Sequence, residues 1–347
     1  MIEDQVTQDR ILQFFAFVAS SKSAELLCFE TLRGGAVQKN YRVDVYFSDG
    51  PFAGVQELVL RTNSISKLAE SRTRTMEFRI QQFVYNAGVS VAEPLWLCED
   101  TSVIGNDFYV MRRIPGNAWG PNIVNYAARK KCGGTIAEAL GRELARLHRI
   151  SYNTPGTEFL GTFTNSPSRY RLSEARRSIA GLPVSQPVLE LGLRWLHRMA
   201  PINEMLVLAH RDFRTGNYLL AGEKLTGLLD WEFSGWSDPH EDLGWFCARC
   251  WRFGYVDCEA GGIAVRDVFY RAYEEQSGYL IDTEKVFWWE VFAHLRWAII
   301  AIQQGERFSL DKESSLDLAL TNRRVAEISC ELLSMIGPSV SQLTASN

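Results

Sequence analysis

A chain of 347 residues with 46% apolar, 12% aromatic and 22% charged residues can bury most of its surface and build two packed lobes. A formal net charge of −4 argues against general affinity for nucleic acid or anionic membranes. The opening M-I-E-D-Q is acidic where a signal peptide is basic, and the apolar runs around Ile11–Ala19 and Trp297–Ile302 are too short to span a bilayer, so a cytoplasmic protein is expected, with no nucleic-acid or membrane partner.

Seven cysteines, an odd number in a chain without a secretion signal, read as reduced thiols. Cys247 and Cys250 form a C-x-x-C, but no second such pair and no H-x₃-H completes a tetrahedral zinc set, so buried thiols are expected. Residues 5–20 gather Ile11, Leu12, Phe14, Phe15 and Phe17 on one side and predict a helix. From Leu26 to Phe47 the pattern becomes two strand-like runs around L-R-G-G-A-V-Q-K-N. There Gly34–Gly35 permits a sharp turn and a close approach of backbone N–H groups to a phosphate. E-L-V-L-R-T-N is a third strand, with Arg61 after a solid aliphatic run. Ser64 to Ala87 is charged and helix-friendly, punctuated by Ile65, Leu68, Met76, Ile80 and Phe83.

Gly88 ends that helix, and the strand-like L-W-L-C-E and D-F-Y-V-M-R-R follow. A Pro–Gly break then sets the domain boundary at about residue 114. Ile136, Leu140, Leu144 and Leu147 repeat at helical spacing up to His148, read as a packed structural histidine. Residues 151–186 are rich in Pro, Gly, Ser, Thr and Asn and read as a long surface connection. Val188 to Met199 is a second amphipathic helix. Residues 260–336 alternate helical runs, in which Trp288, Trp289, Phe292 and Trp297 are either core or the lining of an apolar pocket. The polar tail after Gly337 reads as disordered.

The chemistry concentrates in residues 207–232. Two short aliphatic runs, Leu206–Ala209 and Leu225–Leu229, look like strands. The first leads into a loop carrying His210, Arg211, Asp212, Arg214 and Asn217; the second ends at Asp230. Asp212 and Asn217 have the spacing of the catalytic loop H-R-D-x-x-x-x-N. Phosphoryl transfer from ATP needs this set: one carboxylate to orient a hydroxyl, an amide oxygen and a second carboxylate for Mg²⁺, and a cation for phosphate charge. Asp212 is the candidate catalytic carboxylate, Arg214 the candidate γ-phosphate cation, and Asn217 and Asp230 the candidate metal ligands.

H-R-D-F-R-T-G-N, followed by L-L-D-W-E and D-P-H-E-D-L-G-W, resembles the aminoglycoside phosphotransferase and choline kinase-like superfamily, especially the branch also found fused to acyl-CoA dehydrogenases. The likeness covers roughly residues 30 to 305. It implies an α+β, two-lobed protein-kinase-like fold: a small β-rich N-lobe over 1–113, a larger helical C-lobe over 114–337, and a tail over 338–347. It further implies that Gly34 and Gly35 cover the nucleotide phosphates and that Arg61 lies on the α- and β-phosphates, paired with Glu77 or, one alignment step away, Glu70. Met111 and Arg113 take the hinge positions whose backbone meets adenine. Asp242 resembles the acid that braces the catalytic-loop backbone. Two departures stand out: the family usually has glycine in place of Arg211, and often Ser-Asn in place of Val37 and Gln38.

The reading is an ATP- and Mg²⁺-dependent kinase of a small-molecule hydroxyl, and the alternative is a nucleotide-binding pseudokinase that senses or scaffolds. Only twelve residues carry the chain from Asp230 to Asp242, too few for the activation segment of a protein kinase. The Arg- and Trp-bearing stretch 260–336 leans toward a less cationic, partly apolar acceptor, hydroxyacyl-like rather than an aminoglycoside.

Overall fold

The computed structural model describes residues 5–32, 38–63, 71–309 and 316–344. In chain order these form α1 (Gln5–Val18), β1 (Ala24–Leu32), β2 (Gln38–Phe47), β3 (Gly54–Asn63), α2 (Arg74–Asn86), β4 (Pro94–Cys98) and β5 (Phe108–Arg112). Helices α3 (Gly120–Lys130), α4 (Gly133–His148), α5 (Pro167–Ala180) and α6 (Pro187–Arg198) follow, then strands β6 (Val207–Ala209), β7 (Tyr218–Ala221), β8 (Lys224–Leu228) and β9 (Gly235–Ser237). The chain closes with α7 (Pro239–Cys247), α8 (Arg266–Ser277), α9 (Thr283–Ser309), α10 (Leu316–Arg323) and α11 (Val325–Thr344).

The backbone divides into two compact units, residues 1–119 with 218–234 and residues 120–217 with 235–347. A boundary at 113/114 therefore falls short, and the segment 218–234, expected in the second domain, clusters with the first. The reason is main-chain pairing. Asn117 and Leu220 exchange N–H···O bonds of 2.9 and 3.1 Å, and the Leu228 N–H donates to Ser90 O at 2.7 Å. Gly116, at φ 146°, makes this approach possible, since a Cβ there would lie 2.9 Å from Leu219 Cβ.

In the first unit, five antiparallel strands run in the order β1-β2-β3-β5-β4. Tyr41, Val43, Val45 and Phe47 alternate along β2 and are buried, as period two requires of one sheet face. Ile11 and Phe15 of α1 pack on that face with Leu58, Leu60, Phe108 and Val110. β3 is buried on both faces from Leu58 onward, which matches its unbroken aliphatic run.

The second unit is helical. Residues 151–186, expected as a surface connection, contain α5, whose Leu172, Ala175 and Ile179 join a core with Leu189 and Leu193 of α6 and Trp288, Trp289 and Phe292 of α9. Those three aromatic residues are core, with Trp288 and Phe292 stacked at 5.9 Å. Ser166-Pro167 opens α5 and Gly181 follows it, a start and stop signal hidden by the polar composition around it. Residues 338–344, expected as disordered tail, continue α11. Its earlier turns are anchored by the buried Ile328, Leu332 and Ile336, and each further residue then costs only propagation. Among the described residues no helix is long and apolar enough to cross a membrane.

Candidate active site

The first unit brings Arg61, Glu77 and Asp230 together. Arg61 on β3 is opposite Asn40 on β2, and its Nη1 donates to Asn40 Oδ1 at 3.3 Å. Arg61 Nη2 stands 2.9 Å from Glu77 Oε1 and 2.5 Å from Asp230 Oδ1. Glu77 is in the first turn of α2, where Thr73 caps the helix by accepting from the Met76 N–H at 3.2 Å. Arg74, one turn earlier and fully buried, donates to Glu77 Oε2. Glu77 thus sits between two guanidiniums. Glu70 and the pair Gly34–Gly35 lie outside the described residues.

Burial alone would depress the Arg61 guanidinium, but Glu77 and Asp230 outweigh it and hold it well above its ordinary range. Asp230 follows β8 at φ 68° and ψ 67°, a left-handed conformation that Asp tolerates better than most residues. It turns the chain into the 231–233 turn, whose Trp231 is buried. The Arg72 N–H donates to Glu232 O at 2.8 Å, tying the approach to α2 onto this turn. Burial, and then the charge of Asp230, pushes Glu232 up to about 7. At the expected hinge, Gln81 Nε2 donates to Met111 Sδ at 3.3 Å. The Arg113 N–H is already spent on Glu57 O at 2.9 Å, and its side chain on Glu57. Of the hinge expectation at Arg113, only the carbonyl is left to meet an adenine edge.

The second unit holds the residues of the H-R-D-x-x-x-x-N loop. The main-chain N–H groups of His210 and Arg211 both donate to Asp242, each at 2.7 Å. His148 bridges Asp242 Oδ2 and the Tyr273 hydroxyl, 3.0 Å from each. Burial would raise the Asp242 carboxyl, yet the hydrogen bond and charge of His148, with His210, bring it below its usual range. Asp242 sits in α7 because Asp238 caps that helix, accepting from the His240 N–H at 2.9 Å, with Pro239 at its first position.

Arg211 has φ 63°, which supplies a physical reason for glycine at this position in the family: the loop needs a left-handed residue here. In this chain the arginine side chain is engaged, with Nη2 3.4 Å from Glu174 Oε2 on α5. Arg171, one turn before Glu174, donates to Glu241 at 3.0 Å. Asp212, next in the loop, is 7% exposed and accepts three donors. Asn217 Nδ2 reaches its Oδ2 at 2.5 Å, while Arg214 Nε and Trp245 Nε1 reach its Oδ1 at 3.2 and 2.8 Å. The Arg214 guanidinium stands 4.7 Å from the Trp251 ring centroid. Because the Asn217 nitrogen faces Asp212, its amide oxygen points elsewhere and is the atom that could ligate a metal.

Glu232, Arg74, Glu174 and Trp245 were not singled out from sequence. Arg74 is three residues before Glu77 and Trp245 three after Asp242, and that helical spacing was the available signal. Cys247 and Cys250 are buried, with burial pushing the Cys247 thiol up to about 12. Among the described residues no group of three His, Cys, Asp or Glu side chains could hold a metal.

Residues 29–284 match the Phosphotransferase enzyme family. Acyl-CoA dehydrogenase family member 10 of Mus musculus is 31% identical over 196 residues, 55% of this chain but only 18% of that protein. Solved structures share the fold. A candidate aminoglycoside phosphotransferase from Ralstonia eutropha JMP134 has a TM-score of 0.72 at 20% identity, over 95% of this chain and 98% of that one. A choline/ethanolamine kinase family protein from Mesorhizobium loti has a TM-score of 0.59 at 18% identity, over 95% of each chain. The fold is α+β and protein-kinase-like, with a β-rich N-lobe and a helical C-lobe, and the chain belongs to the phosphotransferase enzyme family.

Proposed function

We propose that the chain transfers the γ-phosphoryl group of ATP to a hydroxyl of a small molecule. The observation that carries this reading is Asp212, a carboxylate fixed by three donors in the H-R-D-x-x-x-x-N loop of a phosphotransferase family member. Asp212 orients the acceptor hydroxyl and takes its proton. The hydroxyl oxygen bonds to the γ-phosphorus as the bond to the bridging oxygen breaks, and that electron pair leaves with ADP. Arg214, stacked on Trp251, offsets the charge on the moving phosphoryl group.

Arg61 holds the α- and β-phosphates, and Glu77, itself steadied by Arg74, holds Arg61. By resemblance Gly34 and Gly35 serve the phosphates, and Met111 with the carbonyl of Arg113 the adenine. Asn217 and Asp230 supply hard oxygen donors suited to Mg²⁺. Mg²⁺ would screen phosphate charge in this reaction.

For the acceptor, the aromatic faces nearest Asp212 favour a compound without a quaternary ammonium. Arg214 covers Trp251 and Arg296 covers Trp245, each at 4.7 Å, so the chain's own cations take the positions a cationic substrate would use. A neutral or anionic, partly apolar hydroxyl compound fits better. The similarity to an acyl-CoA dehydrogenase family member points to a hydroxyacyl derivative. The test is ADP release from ATP with and without Mg²⁺ against hydroxylated metabolites. Release stimulated by hydroxyacyl compounds and not by choline or aminoglycosides is expected; no stimulation by any hydroxyl compound would sink the proposal.

A further inference from the structure

The D-L-G-W stretch of α7 grips the catalytic loop twice. Asp242 accepts the backbone N–H groups of His210 and Arg211. Three residues on, Trp245 donates its indole N–H to Asp212 Oδ1 at 2.8 Å. Positions three apart share a helix face, so one face of α7 holds both the loop's backbone and its carboxylate. The indole is itself held. Trp245 is 3% exposed, lies 5.4 Å from the Trp251 ring, and carries the Arg296 guanidinium on its own face at 4.7 Å. Arg296 also donates to the Arg211 carbonyl, so the residue that fixes the ring also fixes the loop. Gly244 lets α7 approach α9: a Cβ there would lie 2.7 Å from Trp289 Cβ and 2.8 Å from the Glu290 nitrogen.

We infer that Trp245 is a positioning residue for phosphoryl transfer, its indole N–H setting the rotamer in which the Asp212 carboxylate meets the acceptor hydroxyl. The inference rests on the role proposed for Asp212 above. An indole suits the task because it donates one hydrogen bond, accepts none and carries no charge. It fixes one carboxylate oxygen without competing for the proton that Asp212 receives. A phenylalanine in its place keeps an aromatic face toward Arg296 and Trp251 while losing the donor and part of the ring volume.

The test has two arms. Ten tryptophans give ten indole N–H resonances in a ¹⁵N-labelled protein, and the Trp245→Phe variant identifies which belongs to Trp245. In Asp212→Asn, that resonance is expected to move more than any other indole signal. A Trp245 signal indifferent to Asp212→Asn overturns the inference, and this reading needs neither acceptor nor turnover. The second arm follows hydrolysis of Mg·ATP, with water as acceptor. Trp245→Phe is expected to lower turnover on the order of tenfold, the loss of a hydrogen bond to a charged group, with KM for ATP unchanged. A change in KM with turnover intact marks a general packing role and overturns the positioning claim. Asp212→Ala hydrolysing Mg·ATP at the parent rate would bring down the reading of Asp212 instead, while the indole resonance still reports whether the Trp245 contact exists. The two failures are therefore told apart.

Discussion

The two units hold their key carboxylates by different means. In the first, Glu77 and Asp230 are held by the guanidinium of one arginine, Arg61, with Arg74 steadying Glu77. In the second, Asp242 is held by two backbone N–H groups and a histidine, and Asp212 by an indole, an amide and an arginine Nε. A side-chain ion pair can exchange a partner for phosphate or metal at the cost of a rotamer change. A carboxylate bonded to loop backbone cannot let go without the loop losing its shape. Substitutions in the first unit should therefore act on nucleotide affinity, and those in the second on turnover and loop stability.

The largest effect tests the second half of that contrast. Asp212→Ala should lower turnover by roughly 10²- to 10⁴-fold while leaving ATP affinity nearly intact. Calorimetry with ATP and Mg²⁺ decides it, because affinity lost along with activity would move Asp212 to the nucleotide side. Asp230→Asn should do the reverse, weakening Mg²⁺-dependent ATP binding by roughly tenfold, since a neutral amide is a poorer ligand for a hard dication. Superimposable Mg²⁺ titrations in variant and parent would remove Asp230 from the metal role.

Arg61→Ala and Glu77→Ala sharpen the first half. Each should raise the ATP requirement, Arg61→Ala more, since Glu77 acts through it. The double variant should lose less than the sum of the singles, by about 0.5–3 kcal/mol, because the pair acts as a unit. Strict additivity in ATP affinity would show that the 2.9 Å contact does not organise the site.

Asp242 adds a pH arm. Its folded carboxyl lies below the ordinary range, so its stabilisation is fully present above the usual carboxylate pKa of about 4 and is lost as pH falls through the folded value. The parent's advantage in thermal stability over Asp242→Asn should be level from about pH 7 to pH 5 and shrink below about pH 4. A constant gap down to pH 3 contradicts the assignment. The smallest effect is expected for Arg211→Gly. Relief of the left-handed backbone offsets loss of the Glu174 contact, and stability should change by less than about 1 kcal/mol. A larger loss, read by thermal unfolding, would mean the Arg211–Glu174 contact outweighs the strain.

Much of the candidate site was legible because its spacing is local. H-R-D-x-x-x-x-N places Asp212 and Asn217 on one loop, and that loop closes on itself through their 2.5 Å contact. The E-L-V-L-R run placed Arg61 on a buried strand, and helical periodicity located α4 and α6. Helix α5 was missed because its Arg171 is buried by pairing with Glu241, a residue 70 positions away, so a buried face looked like a solvated one.

By itself the sequence determined the family and most of the strands and helices, and it marked out the residues proposed to carry the chemistry, since motif spacing and periodicity are short-range properties of the chain. Tertiary structure alone decided the rest. It assigned the 218–234 hairpin to the first unit through backbone bonds to Ser90 and Asn117, and it set Arg61 beside Asp230, 169 residues on. It also gave Asp212 its indole partner, 33 residues further along. These contacts join groups whose separation in sequence carries no period, and only the packed backbone brings them within hydrogen-bonding distance.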